Sequence, residues 1–190
     1  MKHATSRTLY AYWNRIRGER AAPERSDVKP DAIGKILGDV FILNADEPNP
    51  YRVRLAGTHI CTLLGRELRD TKFTDAFVAG EQAEIHSLLD SMVCTATPVI
   101  AGVIGETADR RMLGLELLLL PLRHHGRTDA RLLGSLTALS HPYWATLVPL
   151  AQLRLGSPRF LQPEDVSISE ATLGRLHSPP QLRILQGGRH

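Results

Sequence analysis

The sequence predicts an α+β domain in which a twisted five-stranded antiparallel sheet carries helices packed on one face. Three observations point there. Tyr51, Val53 and Leu55 alternate with Arg52 and Arg54, the period-two signature of a half-buried strand. Three β-rich runs follow one another between residues 97 and 140, separated by turn residues. Stretches with helical spacing precede and separate these two strand groups. Helices crossing over one face of such a sheet bury both apolar sets.

The elements follow in order. Leu9, Tyr12, Trp13 and Ile16 fall at i, i+3, i+4 and i+7 and predict a helix over Ser6 to Arg17, which Gly18 stops. The charged stretch Glu19–Lys29 contains Pro23 and reads as a linker or loop. PDAIGKILG reads as a short helical piece, with Pro30 in the first turn and Gly38 at its end. Asp39 to Ala45 is short, apolar and β-prone, so it predicts a strand that the turn DEPNP pairs with YRVRLAG. Thr58 is the expected cap of a short helix, THICTLLG, closed by Gly65. Residues 66–79 read as polar turns and short helical pieces. GEQAEIHSLLDSMVCTATP then carries Ile85, Leu88, Leu89 and Met92 at helical spacing, ended by Pro98.

TPVIAGVIG, RMLGLELLLLPL and ARLLGSLTALS are the three later strands. RHHGRTD is the second hairpin connection, and Gly134 is a bulge or close-approach point. Leu113, Leu115, Leu117 and Leu119 share one face. Glu116 lies on the other, where solvent or a partner is expected. In the tail, His141 to His190, PYWATLVPLAQLRLG reads as a helix broken at Pro149, with VSISEATL and QLRILQ as short strands.

The chain has 190 residues, 43% hydrophobic and 23% charged, which suits one globular domain with extensions and argues against disorder along its length. Aromatics are only 5%, so the core must be mainly aliphatic. A net charge of +3 is too small to imply nucleic acid. Cys61 and Cys94 lie far apart and outside any CxxC, which suits a reducing cytosol. No apolar run reaches the roughly 18 residues of a membrane span, and the N-terminus lacks the apolar stretch of a signal peptide. A cytoplasmic protein is expected.

LYAYWNRIRG, PDAIGKILGDVFILNA, YRVRLAGTHICTLLGREL and LLLLPLRHHGRTDARLLGSL, in this order, resemble a bacterial PAS family whose members are often stand-alone proteins with an N-terminal aromatic helix. The strand ending in Gly57-Thr58, the helix, Gly65-Arg66 and the leucine run ending in Pro121-Leu122 carry the resemblance, which covers about Leu9 to Leu139. It implies residues 1–29 as N-terminal helix and linker, 30–140 as a PAS-like domain and 141–190 as a C-terminal extension. It also implies a sensory or regulatory module without catalysis, acting on a protein partner, itself or a small ligand. The competing expectation is a small α+β enzyme or ligand carrier with an apolar pocket between sheet and helices.

Chemical motifs do not redirect that reading. The sequence has no GxSxG, HExxH, P-loop or GxGxxG. His124 and His125 are adjacent without a third ligand at sensible spacing, so an exposed loop is expected there, and no metal. His86 occupies the helix that in haem-binding PAS proteins can supply an iron ligand, but it sits beside the apolar stripe, as an edge histidine does. Pro158-Arg159-Phe160-Leu161-Gln162 is similar to the flavin-adduct motif of light-sensing PAS domains, with proline where the reactive cysteine belongs. No cofactor is expected. Arg7, Arg15, Arg17, Arg20 and Arg25 are interleaved with Tyr10, Tyr12 and Trp13, but Tyr12 and Trp13 belong to the apolar stripe, so nucleic acid is not expected either.

Two residue sets follow from the PAS resemblance. Val53, Leu55, Ile60, Leu64, Ile85, Leu89, Met92, Leu115 and Leu117 are expected to line a mainly apolar pocket between sheet and helices. Leu9, Tyr12, Trp13 and Ile16 are expected to cover Met112, Leu118 and Leu120 on the far face, within one subunit or exchanged in a homodimer, with the dimer favoured; the alternative is a monomer whose C-terminal extension covers that face.

Overall fold

The computed structural model describes residues 1–45, 50–124 and 127–161. Helix α1 runs over Ala4–Arg17, and His3 Nδ1 accepts a hydrogen bond from Thr5 N at 3.1 Å. Its apolar stripe is wider than the spacing predicts, since Tyr10 is buried beside Leu9, Tyr12 and Trp13, and Ile16 is half-buried. Residues 19–29 are docked, not free as a linker would be. Ala22 and Val28 are buried, and the turn Arg25–Asp27 is closed by reciprocal capping between Glu24 and Asp27. Arg123 N donates to Pro23 O at 2.8 Å and fastens the segment to the sheet.

A 3₁₀ segment, Pro30–Asp39, kinks at Ile33 and feeds β1, Val40–Asn44. Strand β2 is Arg52–Ala56. Most of the turn expected between them, residues 46–49, lies outside the described residues. Helix α2, Thr58–Leu64, starts from Gly57, and Thr58 is its first helical residue, with no side-chain cap. Only glycine fits at 57, because a Cβ there would strike the carbonyl oxygens of Leu37 and Gly38. Gly65 ends the helix in the left-handed region, at φ 62°. Two 3₁₀ turns, Phe73–Ala76 and Ala79–Glu81, lead into α3, Gln82–Thr95.

The remaining strands are β3, Val99–Thr107; β4, Met112–His124; β5, Arg127–Ala138; and β6, Leu150–Phe160. The sheet order is β2-β1-β5-β4-β3-β6, with every neighbouring pair antiparallel. The sixth strand replaces the helix expected after Pro149. Leu150 and Leu153 are both buried, and their three-residue spacing mimics a helix. A bulge explains it: Gln152 pairs with Glu106 and Leu150 with Thr107, so Ala151 is an extra residue and the phase shifts by one. As an edge strand, β6 tolerates Pro158. Its own outer edge is partly satisfied by Val78 N donating to Leu153 O and Leu155 N donating to Glu81 Oε2 at 2.7 Å. The tail strands expected at residues 166–173 and 181–186 lie outside the described residues.

The sheet separates two apolar cores. On the inner face, Phe41, Leu43, Leu113, Leu119, Leu132 and Leu136 meet α2 and α3. On the outer face, Val40, Ile42, Ile100, Leu118, Leu120, Leu122 and Leu133 meet α1. Strict alternation along β4 supplies both, with odd positions facing inward and even positions outward.

Candidate functional site

Eight of the nine expected pocket residues lie in the inner core. Val53, Ile60, Leu64, Ile85, Leu89, Met92, Leu115 and Leu117 are all buried there. Leu55 is not, and stands 47% exposed. Its register explains why: Leu43 pairs with Val53 but Ile42 pairs with Leu55, so Arg54 is the extra residue of a bulge. A one-residue shift sends the following side chain to the opposite face.

The inner core is filled. The cavity among Phe41, Val53, Ile60, Leu64 and Phe73 has a volume of about 20 Å³, room for about one water. Phe41 and Phe73 stack with centroids 5.1 Å apart, and Phe77 meets Phe73 edge-on at 5.5 Å. Phe41 fits because position 134 is glycine; a Cβ there would collide with the Phe41 ring. Sequence reasoning missed Phe73 and Phe77, which sit in a stretch read as polar turns. Their spacing in FTDAF, between turn residues, was the available signal.

On the outer face α1 packs within its own chain. Leu9, Tyr12, Trp13, Leu118 and Leu120 are buried together, and Ile16 packs at the margin. Trp13 Nε1 donates to Pro121 O at 2.8 Å. Tyr12 Oη donates to Asp27 O at 3.3 Å and accepts from Lys29 N at 2.8 Å, so the docked loop and the helix hold each other. Arg15 lies over the Tyr12 ring and Arg17 over the Trp13 ring. These rings are therefore engaged inside the fold.

Glu116 departs from expectation. Solvent or a partner was expected, but the side chain is 5% exposed beneath the start of α1. Its carboxylate accepts Lys2 N at 2.6 Å and His3 N at 2.9 Å. Burial alone would raise its pKa. The two backbone amides, the nearby Ser6 hydroxyl and the N-terminal charge prevail and hold it below the ordinary carboxyl range. An anion at a helix N-terminus also meets the positive end of the helix dipole. Thr137 faces the same seam, and its hydroxyl donates to Glu116 O at 3.4 Å.

Because α1 begins over Glu116, the next stretch of the outer face is uncovered among the described residues. Met112, expected beneath the helix, is 64% exposed. Ile104 and Leu139 flank it at 41% and 40% exposure. Ile104 pairs with Gly114, and Leu139 N donates to Gly114 O, so the three side chains share one face across β3, β4 and the end of β5. Gly102 and Gly114 add no side chain to it.

Titratable pairs elsewhere are surface features. His59 Nδ1 lies 2.9 Å from Asp39 Oδ1, and Thr5 donates to the other Asp39 oxygen at 3.4 Å, linking α2 to α1. His86 Nδ1 lies 3.1 Å from Asp90 on the exposed side of α3, and Tyr51 Oη donates to the other Asp90 oxygen at 2.5 Å. Burial pushes the Cys61 thiol up, which keeps it protonated. Among the described residues no three His, Cys, Asp or Glu side chains gather in one metal-binding group, and no helix is long and apolar enough to cross a membrane. Pro158, Arg159 and Phe160 lie on edge strand β6, with Leu161 buried against the outer core. Residues 125 and 126, and residues from 162 onward, lie outside the described residues.

Several solved structures are similar to part of this chain. The LOV protein of Rhodobacter sphaeroides is similar at 13% identity, with 61% of this chain and 71% of that one covered and a TM-score of 0.46. The PAS domain of an HTR-like protein from Haloarcula marismortui matches at 14% identity, over 57% and 89% of the two chains, with a TM-score of 0.43. The Vibrio cholerae VqmA dimer matches at 13% identity, over 60% and 52%, with a TM-score of 0.47. No curated protein matches the sequence. A family model described as PAS domain matches residues 1–137, so the match takes in α1 as well as strands β1 to β5. The chain belongs to the PAS domain family.

Proposed function

We propose that this chain is a non-catalytic sensory or regulatory module of bacterial signalling that works through protein contact, with a second copy of itself as the first partner. The observation that carries the reading is the contrast between a filled interior and an uncovered apolar strip. The cavity enclosed among Phe41, Val53, Ile60, Leu64 and Phe73 is about 20 Å³, against the roughly 300–1,000 Å³ of ordinary small-molecule sites; the larger space on that side, about 280 Å³ beside α2 and the end of β5, is an open cleft with Asp39, His59, Thr62 and His141 in its lining. The strip of Ile104, Met112 and Leu139 supplies exposed apolar surface of the kind that marks interfaces. The family supports a sensory role. Two free thiols, Cys61 and Cys94, suit a reducing, cytoplasmic setting.

Native mass spectrometry of freshly purified full-length protein tests the reading. The expected result is the mass of two chains. A single-chain mass at micromolar concentration contradicts the dimer. A visible absorption band travelling with the protein contradicts the absence of a cofactor.

A further inference from the structure

The bulge that turns Leu55 outward also builds the wall of a groove. The groove is open, has a volume of about 330 Å³ and lies between the 3₁₀ segment 30–39 and the outer side of the β2 edge. Ile33, Leu37, Ile42, Leu133 and Leu55 line it, and among the described residues Arg25 is its only charged lining residue. Arg25 is half-buried, and among the described residues its guanidinium has no hydrogen-bond or ion-pair partner. The two carboxylates beside it in sequence are committed elsewhere. Asp27 pairs with Arg20 at 2.8 Å, and Glu24 with Arg123 at 3.5 Å. An unpartnered cation on the rim of an apolar groove calls for an anion with an apolar body.

We propose that this groove binds a free medium-chain monocarboxylic acid, with its chain along Ile33, Leu37 and Leu55 and its carboxylate on Arg25. One cation matches one carboxylate. The volume sits at the small end of the range for small-molecule sites, about 300–1,000 Å³, which favours a free single-chain acid over a membrane lipid. The site is on the opposite side of the sheet from the filled core and apart from the Ile104–Met112–Leu139 strip, so it stands or falls independently of the dimer.

Sodium decanoate titrated into the full-length protein, followed by backbone amide NMR, tests the proposal, with decanol as the uncharged control. The expected result is saturable binding with shifts centred on Ile33, Leu55 and Gly57. Arg25→Gln is expected to weaken decanoate about tenfold or more, the worth of one charge-assisted hydrogen bond, and to leave decanol within about twofold. Leu55→Asp, at an exposed position and with an unchanged circular dichroism spectrum as its folding control, is expected to weaken both. The proposal is overturned by any of several results: no saturable shift, shifts centred on Leu89 and Met92, or an equal effect of Arg25→Gln on both probes. Groove amides that move with protein concentration alone would assign the groove to a second copy. Binding seen only with phosphatidylglycerol vesicles would assign it to a membrane surface.

Discussion

On the inner face of the sheet, Phe41, Phe73 and the odd leucines of β4 meet α2 and α3 with space for about one water. On the outer face, the even residues of β4 meet α1 over leucines at one end and over a buried carboxylate at the other. The same strand builds both layers by alternation, yet the layers are held differently. The inner one is apolar packing between several elements. The outer one depends on a single helix whose N-terminus is anchored by Glu116 and whose C-terminal half is anchored by Trp13. Sensitivity to pH is therefore expected from the outer layer, and sensitivity to side-chain volume from the inner one.

Removing residues 1–28 should break the comparison most severely. It uncovers Leu118, Leu120, Leu122 and Leu133, all fully buried. At about 1.5–3 kcal/mol per buried leucine, the loss approaches the whole stability of a small domain, about 5–15 kcal/mol. A denaturant midpoint unchanged by the truncation would show that α1 contributes no packing. Leu115→Ala is the matching test inside. Its expected cost is about 2–5 kcal/mol, the same at neutral and mildly acidic pH, read as a shift of a single cooperative transition.

Glu116→Gln should cost less, about 1–3 kcal/mol at neutral pH, because the carboxylate accepts one backbone donor on each oxygen and the amide nitrogen of glutamine would leave one of the two donors facing a donor. Here the pH dependence is the sharper readout. The folded-state pKa of Glu116 lies below its ordinary value. Its stabilisation is thus fully present above the ordinary glutamate pKa, about 4.3, and is lost as pH falls through the lower folded value. Midpoints of wild type and Glu116→Gln should converge on acidification, and a constant gap down to the acid limit would contradict this. Trp13→Phe is the smallest change expected. It removes the bond to Pro121 O at a cost of about 0.5–1.5 kcal/mol, with faster amide exchange in α1 than in α3.

The sheet and its crossover helices were legible because their signals are local. The leucine run of β4 and the stripe of α3 each state a period that the fold keeps. The departures share a cause. At Ala151 and at Arg54 a single extra residue shifts the strand phase, so Leu150 and Leu153 imitate a helix and Leu55 faces away from Val53. A bulge depends on the neighbouring strand, and one strand's sequence does not announce it. Glu116 was misread for a related reason. Its partners, Lys2 N and His3 N, lie more than a hundred residues away and are backbone atoms without a sequence signature. Met112 was placed under a helix whose stripe was correct but whose starting point over the sheet was not legible.

The proposed contact surface is the exposed end of the outer face around Ile104 and Met112. Light scattering of full-length wild type beside the double variant Ile104→Lys, Met112→Lys measures it directly. Both positions are already exposed, so the variant should fold with an unchanged circular dichroism spectrum. The expected result is a dimer for wild type and a monomer for the variant at the same concentration. A wild-type monomer, or a variant that remains dimeric, would contradict it.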